Sequence, residues 1–410
     1  MGAVVSALVT ASVAFAPGAT AADVQSEQWY LEPMQAEQMW KVSTGKGIKV
    51  AVIDSGVNPH TDSLKGQVLA DEVPESVAYG ATDDYSGHGT TMAELIAGTG
   101  ANGGIQGLAP GAKIVPYRIQ MKEQKDGEER QNTAMQLEAL RAVADTDAQI
   151  VSMSFGSSTP YPEIEAAIKY AASKGKLLIA AVGNDGEEFI DYPAAYPYVL
   201  GVSSIDESSR VSDFSSYGQY VDLVAPGENI PAYCQPDFTT YCHDLQGTSQ
   251  ATAITAAAAA LIWSAHPDWT ANQVTRALID TAGRKWAKDK PTQKSGYGTI
   301  RPRTVLADPD YDAGDPYSDP LGKWNKKDGE KLVTEIAPSS AAPSPSATGT
   351  SQGAGSTSAD KAAGAGSKTE TVSAELSDDS NTLWIALGAA AAVIVIGGIA
   401  FGVVRARRAR

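Results

Sequence analysis

A serine, a histidine and an aspartate of this sequence occupy positions from which they could act together in acyl transfer. Ser249 follows Gly247 and precedes a run of small residues that extends to Trp263. The run predicts a helix that is apolar on nearly every face, with Ser249 at its N-terminal end. Unpaired N–H groups and the helix dipole favour developing negative charge there, so this hydroxyl could be a nucleophile. Serine is also a common N-cap, and that alternative stays open at this point.

His88 and Asp54 could supply the base and the acid that such a nucleophile needs. His88 has glycines on both sides and begins a predicted helix, whereas the other three histidines lie beside prolines, in turns or next to a cysteine. Asp54 directly follows a predicted buried strand at residues 48–53, which is a functional position in an open α/β sheet. A structural histidine and a turn aspartate are the plain alternatives. In the order Asp, His, Ser, the three residues match the acid, base and nucleophile of a hydrolytic triad.

The elements that would position these residues alternate along the chain. Strands rich in Val and Ile are predicted at residues 48–53, 113–119, 149–155, 177–182, 198–203 and 220–224. Helices are predicted at residues 133–144, 164–173 and 270–281, in addition to those that begin at His88 and near Ser249. This alternation predicts a three-layer α/β fold, in which helices cover both faces of a mostly parallel central sheet.

The two ends of the chain differ from this middle part. Residues 1–21 are apolar or small and end in Ala19-Thr20-Ala21, which predicts an export signal rather than a membrane anchor. An N-terminal extension with aromatic residues follows at 22–44, and a C-terminal extension is predicted at 309–336. Residues 337–380 are rich in Ser, Ala, Gly and Pro without a periodic apolar pattern, so we expect a disordered linker.

Residues 383–404 predict one transmembrane helix. The run is uncharged and long enough to cross a hydrocarbon core of about 30 Å; a buried core helix is the alternative, which the preceding linker disfavours. An Arg-rich tail follows at residues 405–410, and the positive-inside bias places this tail in the cytoplasm. We therefore expect a single-pass protein of the cell membrane, with the lipid bilayer as a partner and the folded part outside the cell.

Composition excludes some classes of function. The formal net charge of −16 argues against nucleic acid as a partner, because phosphate binding needs a basic face. The chain has two cysteines, which are too few for a disulfide scaffold, and they lack metal-site companions. No spacing of acidic residues stands out as a calcium site, so we expect neither a metal nor a cofactor.

Three motifs carry a resemblance to a known family. They are Val52-Ile53-Asp54-Ser55-Gly56, Gly87-His88-Gly89-Thr90 and Gly247-Thr248-Ser249, with supporting motifs at residues 152–156, 180–186, 214–218 and 224–227. In these motifs the chain resembles the subtilisin-like serine proteases, and the resemblance implies a peptidase domain at residues 45–308. Thr91, Glu94, Gln250 and Ala253 depart from the common pattern without removing a catalytic group.

The resemblance implies roles for particular residues. Ser249 would attack the scissile carbonyl, His88 would transfer the proton, and Asp54 would hold the histidine. Asn184 and the backbone N–H of Ser249 would form the oxyanion hole, although a turn role alone would also explain Asn184.

Substrate contacts are implied in the same way. Ser154, Phe155 and Gly156 match an edge segment that would hold an extended peptide by main-chain hydrogen bonds. Ala180, Ala181 and Gly183 would line the first specificity pocket. Ordinary packing at strand ends is the alternative for both groups.

Because the domain is expected to be exported, Cys234 and Cys242 are predicted to form a disulfide that closes a short loop before the nucleophile. The whole arrangement resembles the mycosins, which are membrane-anchored proteases associated with type VII secretion. We therefore expect a membrane-anchored serine endopeptidase with protein or peptide substrates and, as partners, membrane components of a type VII secretion complex. A mainly structural role in that complex and a general cell-surface protease are the alternatives.

Overall fold

Six parallel strands form the central sheet in the part of the chain that the structure describes. The structure is a computed structural model, and it describes residues 24–121, 124, 127–189 and 191–322. The strands are β1 (Lys49–Asp54), β2 (Lys113–Arg118), β3 (Ile150–Met153), β4 (Leu177–Ala181), β5 (Val199–Ile205) and β6 (Leu223–Pro226), in the spatial order β2-β1-β3-β4-β5-β6. Almost every strand residue is buried, because helices cover both faces of the sheet.

Helices lie on both sides of this sheet. They are α1 (Ala36–Trp40), α2 (His88–Ala97), α3 (Gly127–Asn132), α4 (Gln136–Ala144), α5 (Pro162–Ser173), α6 (Thr248–Ala265), α7 (Ala271–Thr281) and α8 (Pro302–Leu306). One core cluster joins the sheet to α2, α6 and α7, and a second joins it to α4 and α5. The α/β fold with a parallel central sheet, predicted from the alternation of strands and helices, is therefore confirmed.

Helix α6 is the buried centre of the first core layer. Every residue from Thr248 to Trp263 is buried, and the helix packs against β3, β4, β5 and β6. The run of alanines allows this because small side chains let the helix backbone approach the sheet closely. A larger residue such as leucine in place of Ala257 would overpack this layer at a cost of about 1–3 kcal/mol.

The N-terminal extension packs against the domain. Tyr30 is fully buried, and the indole nitrogens of Trp29 and Trp40 donate to the carbonyls of Glu228 (2.9 Å) and Leu108 (2.8 Å). These buried polar ends are satisfied, so the extension contributes to the first core layer.

The predicted helix at residues 133–144 is wrong at its start. Helix α4 begins only at Gln136, and residues 127–132 form the separate helix α3. Between them, Ala134 pairs with Ile119 beyond the end of β2, and its carbonyl accepts from Gln120 N at 3.0 Å. Pairing with the sheet thus overrides the local helical pattern.

A hairpin is present that the sequence did not predict. Strands β7 (Ile230–Tyr233) and β8 (Tyr241–Leu245) are antiparallel and separate from the main sheet. Strand β7 is buried throughout and β8 is half-buried to exposed, and the pairing shifts in register between Ile230 and Ala232, so neither strand shows a regular alternation. Strand β3 also ends earlier than predicted, at Met153, and residues 154–156 follow it outside the ladder.

The predicted export signal (1–21), linker (337–380), transmembrane helix (383–404) and Arg-rich tail (405–410) lie outside the described residues, and they stay predictions. None of the helices within the described ranges is long and apolar enough to cross a membrane.

Candidate active site

Asp54 and His88 meet where β1 ends and α2 begins. His88 Nδ1 lies 2.7 Å from Asp54 Oδ1, and the same oxygen accepts the N–H of Ser55 at 2.7 Å. The Asp54 side chain is 1% exposed, whereas 37% of the His88 side chain reaches solvent. A Cβ on Gly89 would lie 2.2 Å from the carbonyl oxygen of Gly56, so only glycine lets α2 approach the end of β1 this closely.

Asp84 organises the loop that leads to His88, and sequence reasoning missed it. Its Oδ1 accepts from Ser55 Oγ (2.8 Å), Ser86 N (3.0 Å) and Gly87 N (2.9 Å), and its Oδ2 accepts from Thr90 N (2.9 Å) and Thr90 Oγ1 (2.6 Å). This buried carboxylate thus satisfies N–H groups at the start of α2 and ties them to the segment after Asp54. In the sequence, only its position four residues before His88 distinguishes Asp84 from other aspartates.

Ser249 lies in the first turn of α6. The N-cap residue of that helix is Gly247, so the interpretation of Ser249 as an N-cap is wrong. Ser249 Oγ donates to the carbonyl of Ser154 at 3.4 Å, and Ser154 Oγ donates to the carbonyl of Ser249 at 3.2 Å. Ser154 directly follows β3, the neighbour of β1 in the sheet, and α6 packs against α2. The serine therefore lies at the same sheet edge as the Asp54–His88 pair.

Two N–H donors, those of Ser249 and of the Asn184 side chain, lie close to the nucleophilic serine. A methyl group built on Gly247 would lie 2.7 Å from Gln250 Oε1, 3.7 Å from Ser249 N and 3.8 Å from Asn184 Nδ2. The amide of Asn184 is held in this orientation because its Oδ1 accepts from Thr248 N (2.9 Å) and Thr248 Oγ1 (3.1 Å). An anionic oxygen between these two nitrogens could accept a hydrogen bond from each of them.

The residues predicted to contact substrate follow β3 and β4. Ala180 and Ala181 are buried at the end of β4, and Gly183 has the left-handed φ of +101°. Phe155 places its side chain in the core layer with α4 and α5, so only its backbone could face a peptide. Gly156 and Gly183 both contact the carboxylate of Asp191, which sequence reasoning did not select.

Cys234 and Cys242 form a disulfide in the β7–β8 hairpin, with Cα atoms 5.1 Å apart. The hairpin lies against the start of α2. A Cβ built on Gly87, the residue before this helix, would be 3.3 Å from Tyr233 Cβ. Thr91 Oγ1 accepts from Tyr233 N at 3.3 Å.

Glu94 joins helix α2 to this hairpin. It is fully buried and accepts from the hydroxyls of Tyr233 (2.9 Å), Tyr241 (2.9 Å) and Thr61 (2.7 Å). Burial raises the pKa of the Glu94 carboxyl to about 7, against the lowering effect of these hydroxyl donors. The sequence marked Glu94 only as a departure from the family pattern.

Within the described ranges, no group of three or more His, Cys, Asp or Glu side chains is arranged to hold a metal ion.

A serine hydrolase needs an Asp–His pair, a nucleophilic serine and N–H donors near that serine, and this parallel α/β sheet brings all of them to one edge. The family model of the subtilases, peptidase family S8, matches residues 45–298. The chain therefore belongs to the subtilase family of serine endopeptidases.

Individual relatives agree with this assignment. The minor extracellular protease Epr of Bacillus subtilis (strain 168) is 36% identical over 300 residues, which cover 70% of this chain and 43% of Epr. Subtilisin BL of Lederbergia lenta is 35% identical over 260 residues, which cover 63% of this chain and 92% of that protein. Among solved structures, the MycP3 protease from the type VII (ESX-3) secretion system has a TM-score of 0.57 at 26% identity, covering 70% of this chain and 90% of MycP3.

Proposed function

We propose that this chain is a membrane-anchored extracellular serine endopeptidase that hydrolyses protein or peptide substrates through Asp54, His88 and Ser249. The observation that carries the proposal is the 2.7 Å contact between His88 Nδ1 and Asp54 Oδ1. This contact lies at the same edge of the sheet as Ser249. Ser249 belongs to helix α6, which packs against α2.

The arrangement fits peptide hydrolysis in two steps. Asp54 accepts the Nδ1–H of His88, which leaves Nε2 as the basic nitrogen. Ser249 Oγ attacks the scissile carbonyl carbon while Nε2 takes its proton, and the same proton then goes to the amine as the C–N bond breaks. Water, deprotonated by Nε2, attacks the carbonyl carbon of the resulting ester, and Nε2 then gives this proton to Ser249 Oγ as the ester C–O bond breaks and the acid is released. The original serine proton thus leaves with the amine, and a proton from water restores the Ser249 hydroxyl.

The negative oxygen of the tetrahedral intermediate would lie between the backbone nitrogen of Ser249 and the side-chain nitrogen of Asn184. There it would accept one hydrogen bond from Ser249 N and one from Asn184 Nδ2, both of which lie within 3.8 Å of a Cβ built on Gly247. Such donors act mainly on the transition state, and loss of the side-chain donor costs about 10²–10³ in kcat, a magnitude known from subtilisin, a member of this family. The backbone of residues 154–156 would hold the extended substrate beside the serine.

Labelling with a fluorophosphonate probe tests this mechanism directly. The wild-type domain should be labelled, and Ser249→Ala should not be labelled and should lose kcat by about 10⁶-fold, as in subtilisin, because triad members act as a unit. Ser173→Ala, which changes an exposed serine at the end of α5, is the matched control and should label normally. A folded wild-type domain that does not react with the probe would rule the mechanism out.

We further propose that the protease acts at a type VII secretion complex, anchored by residues 383–404. The apolar sequence of that segment and the likeness to MycP3 support this proposal. Fractionation should recover the full chain with the membrane, and a chain that ends at residue 336 should be released. Complementation of a strain that lacks the gene separates this function from a mainly structural role. If the Ser249→Ala protein restores secretion as well as the wild-type protein does, the structural role is favoured.

A further inference from the structure

The carboxylate of Asp191 lies between two glycines that adjoin the catalytic residues. Cβ atoms built on Gly156 and on Gly183 would each lie 2.5 Å from Asp191 Oδ2. Gly156 comes two residues after Ser154, whose carbonyl accepts from Ser249 Oγ, and Gly183 directly precedes Asn184. The carboxylate therefore borders the space beside the attacked carbonyl, where the side chain of the acylated residue must lie.

No cation neutralises this carboxylate within the described part of the chain. Asp191 is 8% exposed, and no Lys or Arg forms an ion pair with it among those residues. Its charged neighbour is a second acid, Asp185, which accepts from Ser216 Oγ at 3.3 Å. The phenol of Tyr220 is a further titratable group beside it, and the backbone N–H of Tyr192 donates to the carboxylate. Burial first, and Asp185 second, raise the pKa of Asp191 to about 7.

We propose that Asp191 is a specificity-determining residue that makes the enzyme prefer lysine or arginine on the acyl side of the scissile bond. The inference rests on the proposed function, because it concerns the substrate of the same site. A cationic side chain would supply the charge that Asp191 lacks. A large apolar side chain would leave the carboxylate desolvated and without a cationic partner, and an acidic one would add a third negative charge.

The test uses four peptides that differ only in the residue before the cut: lysine, arginine, norleucine and glutamate. Norleucine keeps the aliphatic stem of lysine without the ammonium group. We expect kcat/KM for lysine to exceed that for norleucine by about 10- to 100-fold, with glutamate lowest, because a site built for a charged partner discriminates strongly against its neutral analogue. A wild-type enzyme that cleaves norleucine as well as lysine would overturn the proposal without any variant.

Two variants assign the preference to this carboxylate. In Asp191→Asn the lysine-to-norleucine ratio should fall by about 10- to 100-fold towards one. Glu187→Gln, which removes an exposed negative charge from the same loop, should keep the wild-type ratio. If both variants, or neither, change the ratio, general electrostatics or another residue sets the preference and the proposal is wrong.

The pH dependence of the same ratio provides a readout that a structural role would not change. Protonated Asp191 does not attract a cation, so the ratio should be small near pH 5 and rise as the pH passes through about 7. Both peptides share the requirement for a neutral histidine base, so this requirement cancels in the ratio. A ratio that is flat with pH would contradict the proposal.

The two levels of hypothesis fail in different ways. If the folded wild type neither reacts with a fluorophosphonate nor cleaves any of the peptides, the proposed function fails. If it reacts and cleaves all four peptides with no preference for the cations, only the role of Asp191 fails.

Discussion

The first and second turns of helix α2 hold carboxylates in opposite surroundings. Around the first turn, Asp54 and Asp84 accept backbone N–H groups, and Asp54 also contacts the ring of His88. In the second turn, Glu94 contacts three hydroxyl groups and, within the described residues, forms no ion pair. Burial favours the neutral form of Glu94, although its three hydroxyl donors oppose this effect.

The two turns of α2 therefore have different roles: the first positions the catalytic histidine, and the second holds a neighbouring hairpin. The first turn fixes His88 by contacts that leave no room for a side chain at Gly89. The second turn attaches the β7–β8 hairpin, since Thr91 and Glu94 both bond Tyr233. The two departures from the family pattern in α2 therefore have a common structural explanation, which is this hairpin.

The largest expected effect comes from disturbing the first turn. Gly89→Ala would place Cβ 2.2 Å from the Gly56 carbonyl and 3.0 Å from Asp54 Cβ, so α2 and Asp54 must separate. We expect kcat/KM to fall by at least about 10²-fold, because misplacement by about 1 Å costs that much. Gly127→Ala, whose Cβ would meet nothing within 4 Å, is the control and should retain activity. Full activity in Gly89→Ala would show that the first turn tolerates movement.

The second turn should control how stability depends on pH. The pKa of Glu94 is about 7 in the folded protein against an ordinary 4.5, so the folded state binds more protons between these values. The free energy of unfolding then falls as the pH rises through this range, by about 3 kcal/mol from this group. Glu94→Gln cannot titrate, so its stability relative to wild type should increase from pH 4.5 to pH 8.

Denaturant unfolding at several pH values measures this difference. Glu163→Gln, an exposed acid on α5, is the control and should follow the wild-type curve. Asp191 and Asp222 also have raised pKa values because they are buried, but their contribution is common to wild type and Glu94→Gln. A constant difference between the two proteins would mean that Glu94 titrates in its ordinary range. Activity should stay within about threefold, since Glu94 does not contact the catalytic residues.

The comparison also shows what the sequence can predict. Asp54, His88 and Ser249 each lie at the end of an element with a clear apolar pattern, so both the fold and these positions could be inferred from short segments. Glu94 meets Tyr233 and Tyr241 across 139 and 147 residues, and no local pattern reports such contacts. Asp84 and Asp191 lie in irregular segments, where an aspartate is ordinary and only the folded chain shows what it contacts.

The smallest effect on catalysis should come from opening the hairpin disulfide. Cys234 and Cys242 are eight positions apart, and closing so short a loop contributes roughly 2–3 kcal/mol in the chain-entropy account. The double variant Cys234→Ser with Cys242→Ser should therefore unfold at lower denaturant concentration, while kcat/KM changes less than about threefold. Tyr233 remains bonded to Glu94 and Thr91 in that variant, so the hairpin stays attached to the second turn of α2. Combining the double variant with Tyr233→Phe should lower stability further. A large loss of kcat/KM in the double cysteine variant by itself would mean that the hairpin, and not only the first turn of α2, positions His88.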